Sequence, residues 1–150
     1  MSARSAFETF SGSVWLIFFC LSALVVYGIA GHDTYRTLTV HATYYDLKVA
    51  STDAARSKGL GGTASLAVNQ GMLFVFPNPS QQCFWMQDMH FPLDIVWLDA
   101  NKTVVHIAEQ VPPESYPNTF CPGQSATYVI ELNAGEVAKQ TIHQGDHLTF

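Results

Sequence analysis

The chain divides into one uncharged apolar stretch near its N-terminus and a longer part made of short apolar runs. From residue 38 onward these runs are separated by Gly, Pro, Asn and Asp. Short strands bounded by turn residues are typical of this pattern. It predicts strands at residues 38–41, 45–50, 71–76, 83–86, 94–98, 103–111, 127–132 and 147–150.

Two short helices are predicted among these strands. Residues 51–53 (STD) offer N-cap side chains for a helix over residues 54–58, and Gly59 ends that helix. A second helix is predicted over residues 135–143. Because the strands follow one another without regular intervening helices, a doubly wound α/β fold is excluded. We therefore predict a mainly β domain, α+β at the margin: a compact sandwich or a distorted barrel of short strands.

Three irregular segments interrupt the strands. Residues 77–80 (PNPS) predict a turn, because proline limits the backbone and cannot donate to a strand ladder. Residues 87–92 form a loop between two runs that are apolar on both faces. Residues 114–125 form a loop of a length that is often functional.

The uncharged stretch at residues 14–30 (VWLIFFCLSALVVYGIA) is long enough to cross a membrane. A span takes about 20 apolar residues, and about 17 is the lower limit. Trp15 and Tyr27 lie near its ends, where aromatic side chains prefer the headgroup level. We predict an anchor at residues 14–30, preceded by an N-terminal segment at residues 1–13.

A cleaved signal peptide is the alternative for this stretch, because Gly28 and Ala30 place small residues where a signal peptidase cuts. A buried helix of a soluble core is a third interpretation. In either exported form, a linker at residues 31–37 leads into a compact β-domain at residues 38–150. The domain then lies outside the cytoplasm, either anchored as a single-pass membrane protein or released to the periplasm or medium.

Composition supports a folded, exported domain. The chain has 150 residues, the size of one domain, with 48% hydrophobic and 13% charged residues. Disorder would need low hydrophobicity and high charge, so the composition argues against it. The formal net charge of −5 argues against a nucleic-acid partner, because binding phosphates requires a basic face. Cys83 and Cys121 in the exported part allow one disulfide, with two free buried thiols as the alternative.

Four segments together resemble one known family. They are Arg56-x-x-Gly59-Leu60, GMLFVF at 71–76, FWM-x-x-M-x-x-PLDI at 84–95 and YVIEL-x-AG at 128–135. In this order they resemble the domain-of-unknown-function family 192 over residues 38–150. The resemblance implies a single compact, mostly β domain, commonly preceded by a signal or an anchor, and it brings no settled activity. Members often carry an arginine shortly after the Gly-Leu pair, where this chain has Thr63.

Several side chains are candidates for a site. Trp85, between Phe84 and Met86, could stack on a flat ligand, although burial in the core with Trp97 is the interpretation we favour. Asp88, His90 and Asp94 bracket one loop and could bind a cation or exchange protons. For these three we favour hydrogen bonds that fix the loop backbone.

Glu131 lies in an apolar strand, where a buried carboxylate needs a partner. Arg56 is the arginine available within the folded domain, and we predict an ion pair between them, either structural or facing a ligand. His143 and His147 are four residues apart, but Gly145 breaks the helix that a zinc pair would need. We assign no metal, cofactor or catalytic residue.

These observations favour a membrane-anchored extracytoplasmic domain that binds a small ligand or a protein partner. One alternative is an acid–base enzyme of hydrolase type that uses Asp88, His90, Asp94 and Glu131. Another is a purely structural envelope module. If the candidate residues share one cleft that holds a perturbed carboxyl group, acid–base chemistry gains support, whereas an apolar pocket with few titratable groups favours binding.

Overall fold

The computed structural model describes residues 33–150. The predicted anchor at residues 14–30 lies outside the described residues and stays a prediction. Within residues 33–150, every helix is too short or too polar to cross a membrane.

The described part of the chain consists of short strands and short helical segments. In chain order they are β1 (Tyr35–Val40), β2 (Thr43–Ala50), α1 (Asp53–Lys58), β3 (Gln70–Ser80), β4 (Phe84–Trp85), β5 (Leu93–Leu98), β6 (Val104–Val111), a 3₁₀ turn (Pro113–Ser115), β7 (Thr119–Phe120), β8 (Ala126–Asn133) and α2 (Glu136–Lys139). The mainly β class with two short α-helices is confirmed. Helix α1 begins at Asp53, one residue earlier than predicted, and Thr52 is its N-cap: the Thr52 hydroxyl accepts a hydrogen bond from the amide of Ala55.

Six strands form one mixed sheet in the order β1-β2-β3-β8-β5-β6. The pair β2–β3 is parallel and the other neighbours are antiparallel. The second sheet consists of β4 and β7 alone, so the described domain is not a sandwich of two large sheets. The C-terminal segment bridges to both margins of the main sheet, through Thr39 with Thr149 and Thr103 with His147.

Both faces of the main sheet are buried. One face packs with α2 and the C-terminal segment, and the other packs with the turn after α1 and with β4. Because both faces are covered, central strands read as continuous apolar runs, and all six residues of β5 are buried. This burial explains why the sequence pattern identified β5, β8 and the buried first half of β3.

Four predicted boundaries were wrong. The linker at residues 31–37 overlaps β1, because the exposed side chains at the start of that strand leave no apolar signal. Strand β3 continues through the PNPS segment, and its register shifts between Val75 and Ser80, where the prolines interrupt the ladder. Helix α2 ends at Lys139, and Thr141 adopts a positive φ of 54°. The strand expected at residues 147–150 is reduced to isolated bridges.

Candidate functional site

A cleft of about 500 Å³ opens above the sheet face that carries Glu131. One wall is α1 with the glycine-rich turn that follows it, and the other wall is β4 with residues 87–89. Aromatic side chains of β3 and β4 line the space between these walls. The cleft therefore joins segments that are far apart in the sequence.

Glu131 lies at the base of this cleft, on the central strand β8. It pairs with Met72 on β3 and with Ile95 on β5, so neither neighbouring strand offers it a charge at that position. Its side chain is almost fully buried, with 5% of the residue surface exposed. Within the described part of the chain, its Oε2 atom has no hydrogen-bond partner. Burial raises the pKa of Glu131 to about 8, so the carboxyl group is mostly protonated at neutral pH.

The predicted ion pair between Arg56 and Glu131 is wrong. The Arg56 guanidinium donates to the carbonyl oxygens of Ser51, at 2.6 Å, and Val75, at 2.8 Å. It also pairs with the Asp53 carboxylate, three residues earlier on the same helix. The terminal nitrogens of Arg56 are thus occupied by the Asp53 carboxylate and the two carbonyl oxygens. Through the bond to Val75, Arg56 connects α1 to β3.

Aromatic rings form the apolar part of the cleft. The Phe84 ring meets Phe74, Phe76 and Trp97 edge to face, with centroid distances of 4.8, 6.4 and 5.9 Å. Trp97 is fully buried, as the core interpretation expected. Trp85 is not core: 55% of it is exposed at the cleft. The two-residue strand β4 turns Phe84 toward the sheet and Trp85 outward, which its apolar sequence neighbours did not reveal.

A disulfide joins Cys83 and Cys121, with the two Cα atoms 4.3 Å apart. The predicted bridge is thus present. It ties the start of β4 to β7, where Phe84 pairs with Phe120. The long loop at residues 114–125 is thereby held beside the aromatic wall of the cleft.

The turn after α1 and the loop at residues 87–89 hold each other in place. The amide of Gly62 donates to the carbonyl of Asp88 at 2.8 Å. A Cβ atom on Gly61 would lie 3.3 Å from the carbonyl oxygen of Gln87, which explains the small residue at this close approach. Asp88 is exposed and lines the cleft, and its position follows from this contact.

Two of the six candidate residues lie outside the cleft. Asp94 is buried, and its carboxylate accepts hydrogen bonds from the amides of Gln110 and Val137, each at 2.8 Å. Asp94 thus fixes backbone as expected, but the backbone of β6 and α2 and not that of the loop at residues 87–92. His90 is exposed and does not line the cleft. The structure therefore brings together Arg56, Trp85, Asp88 and Glu131.

Other groups that the sequence pattern did not single out as candidates also line the cleft, among them Asp53, Lys58 and Phe76. Asp53 and Lys58 look like ordinary surface charges of a short helix, and no local signal separates them from such charges. Across residues 33–150, no cluster of three or more His, Cys, Asp or Glu side chains is arranged to hold a metal ion. The cleft thus offers a buried acid, exposed charges and aromatic surface.

Two solved crystal structures are similar to this chain over most of its length. A crystal structure of a protein of unknown function from Novosphingobium aromaticivorans DSM 12444 has a TM-score of 0.70 and 26% identity, and the match covers 83% of this chain and 90% of that one. A protein of Sinorhizobium meliloti 1021, named a "putative transcription regulator", has a TM-score of 0.69 and 28% identity. That match covers 79% of this chain and 97% of the other.

A search of curated proteins finds no significant sequence match. The family model of DUF192, described as "Uncharacterized ACR", matches residues 36–150. That match includes the four segments on which the resemblance was based. The chain therefore belongs to the uncharacterised domain-of-unknown-function family 192.

Proposed function

We propose that this domain binds a small ligand in the cleft above β8, with Glu131 as its anchoring group. The volume of about 500 Å³ falls within the range of about 300–1,000 Å³ of small-molecule sites. The walls combine aromatic surface with a few polar groups, which is the usual composition of such sites. These features favour a small ligand over a flat protein interface.

The observation that carries this proposal is the unpartnered Oε2 atom of Glu131. Leaving a buried polar atom without a hydrogen bond costs about 1–3 kcal/mol. Glu131 lines the cleft, so a ligand that donates a hydrogen bond to its carboxyl group offsets this cost on binding. Burial of Glu131 in the free protein thus supports a ligand as the missing partner.

The test is a fragment titration followed by ¹H–¹⁵N NMR on the full chain. We expect some fragments to shift the signals of Trp85, Gln87 and Met89, which line the cleft on one side. Glu131→Gln should weaken the binding of these fragments. Glu109→Gln is the matched control, because Glu109 is exposed on β6 and does not line the cleft. If no fragment shifts the cleft signals, the binding function is wrong.

Acid–base catalysis is the second candidate function. The raised pKa of Glu131 supports it, because a carboxyl group that stays protonated at neutral pH can act as a general acid. Asp88 also lines the cleft, whereas His90 and Asp94 do not, so only part of the expected acid–base set is assembled. Chemical turnover of a bound fragment by the native chain, and its loss in Glu131→Gln, would favour catalysis over binding alone.

We also propose that residues 14–30 anchor the domain outside the cytoplasm. Their uncharged, apolar sequence supports a span, and the Cys83–Cys121 disulfide is of the kind that persists in oxidising compartments. The full-length chain should remain in the membrane fraction after a carbonate wash. A released species that begins at Gly31 would instead establish cleavage of a signal peptide.

A further inference from the structure

We infer that the ligand of this cleft is a small organic cation with N–H donors, a primary ammonium on an apolar or aromatic body. This inference rests on the proposed binding function and specifies its ligand class. Four features of the cleft lead to it: the occupied arginine, the free acid, the aromatic walls and the charges at the rim.

The occupied arginine argues against an anionic ligand. An arginine in a cleft is usually the first candidate for binding a carboxylate or a phosphate. Here the terminal nitrogens of Arg56 are hydrogen-bonded to Ser51, Val75 and Asp53. An anion would have to displace these bonds and release α1 from β3.

The free acid argues for a donor on the ligand. Oε2 of Glu131 is buried and has no partner among the described residues, although the side chain lines the cleft. The protonated carboxyl group can donate as well as accept, but a cationic donor pairs with its ionised form, which is a pure acceptor, and that charged bond is stronger than a neutral one. An ammonium group is both a donor and charged, whereas an alcohol is a donor without the charge.

The aromatic walls fit the rest of such a ligand. Trp85, Phe84 and Phe76 line the cleft with ring surface, and a cation is attracted to the face of an aromatic ring. The Arg56 guanidinium already lies over the Phe76 ring, 5.3 Å from its centroid. Trp85 is exposed, so its ring is free to cover an apolar ligand body.

The remaining charges at the rim do not oppose a cation. Asp53 and Asp88 line the cleft with Arg56 and Lys58, so the two acidic and two basic groups balance. The Lys58 ammonium lies near the turn, 3.3 Å from the position of a Cβ on Gly62. The formal charge of the whole chain, −5, favours the approach of cations.

Binding of an ammonium should release a proton. Glu131 is mostly protonated in the free protein at neutral pH and must ionise to pair with the cation. The titratable groups that face it across the cleft are Asp53, Arg56, Lys58 and Asp88, while its strand neighbours are apolar. About one proton per ligand should therefore pass to the solvent at about pH 7, and almost none well above pH 8.

The experiment compares three probes by isothermal titration calorimetry on the full chain. They are 2-phenylethylamine, its N,N,N-trimethyl analogue, which keeps the charge without N–H donors, and 2-phenylethanol, which keeps a donor without the charge. We expect the amine to bind at least about tenfold more tightly than either analogue, because a charged hydrogen bond is stronger than a neutral one. Titrations in buffers of different ionisation enthalpy measure the proton release.

Two variants assign the effect to the buried acid. Glu131→Gln should remove both the preference for the amine and the proton release, while Glu109→Gln should retain both. The Gln variant removes an ionisable group from a buried position, so it should fold, and its unfolding midpoint verifies this. If the trimethyl analogue or the alcohol binds as tightly as the amine, the inference is overturned.

The failure of this inference differs from the failure of the binding function. Neutral fragments that shift the Trp85 signal, together with an amine that does not bind, overturn the ligand class and leave the binding site in place. A cleft that no fragment perturbs overturns both proposals. A Glu131→Gln chain that keeps the amine preference also overturns the inference, because another group must then select the cation.

Discussion

Replacing Glu131 with Gln should make the protein more stable, by an amount that grows with pH. The pKa of this carboxyl group is 4.5 in an unperturbed chain and about 8 in the fold, because burial disfavours the charged form. Well below pH 4.5 the group is protonated in both the folded and the unfolded chain. Between these two values the unfolded chain loses the proton and the folded chain keeps it, so the free energy of unfolding falls as pH rises.

The size of this loss follows from proton linkage. Each pH unit between the two pKa values lowers the free energy of unfolding by about 1.4 kcal/mol. The native chain should thus lose about 3 kcal/mol by about pH 7, and roughly 5 kcal/mol once the pH exceeds the folded pKa of about 8. Gln cannot ionise, so Glu131→Gln should match the native chain near pH 4 and exceed it by these amounts at higher pH.

The assay is guanidinium unfolding of the native chain, Glu131→Gln and Glu109→Gln from about pH 4 to about pH 9, with the disulfide intact. Subtracting the native curve cancels the titration of other carboxyl groups. Glu136 is one of them: partial burial opposes ionisation, but hydrogen bonds from Tyr45 and Lys139 lower its pKa overall. A stability difference between Glu131→Gln and the native chain that stays constant over this range would refute the protonated, buried state of Glu131.

Three further variants, two single and one double, test the structure around the cleft. Arg56→Ala removes the hydrogen bonds to two carbonyls and should cost about 1–3 kcal/mol by urea unfolding. The pH dependence of stability that Glu131 contributes should stay the same in this variant, and a changed pH dependence would support the ion pair. Gly71→Ala places a Cβ atom 2.6 Å from the carbonyl oxygen of Glu131, so it should lower the free energy of unfolding by about 1–3 kcal/mol or more. Thermal unfolding measures this loss, and an unchanged midpoint would contradict the close packing at Gly71. The double variant Cys83→Ser with Cys121→Ser removes a disulfide that joins residues 38 positions apart, and it should lower the free energy of unfolding by very roughly 3–4 kcal/mol. It should also weaken fragment binding. Unchanged affinity would show that the disulfide does not shape the cleft.

The strands were predictable where burial leaves a simple pattern. Strand β5 has all six residues buried, and its apolar sequence predicted both its position and its coverage on two faces. Asp94 interrupts that run. It accepts from two backbone amides, as expected, but these belong to Gln110 on β6 and Val137 on α2 and not to the loop at residues 87–92. Prediction failed where pairing alone makes a strand, as at the exposed start of β1, because backbone hydrogen bonds leave no trace in side-chain hydrophobicity.

The candidate site was predictable only in part. Glu131 stood out because a carboxyl group in an apolar strand needs an explanation, and the structure places it in the cleft. The choice of Arg56 as its partner was wrong, because scarcity of cations in the sequence does not determine which carboxylate an arginine reaches. The exposure of Trp85 also escaped prediction, since a strand of two residues has no periodicity to read.

The residues alone were enough to predict the mainly β class, the presence of an N-cap for α1 among residues 51–53, the family, and Glu131 as a carboxyl group in an apolar strand. Each of these properties depends on residues that are adjacent in the sequence, so the residue types alone are enough to predict it. The three-dimensional structure was needed to show that Oε2 of Glu131 has no partner among residues 33–150, that Arg56 is occupied elsewhere and that α1 and β4 enclose a cleft above β8. Such properties depend on distances between residues that are far apart in the chain. The hydrophobic pattern indicates which face of a strand or helix is buried, but not which residues lie against that face.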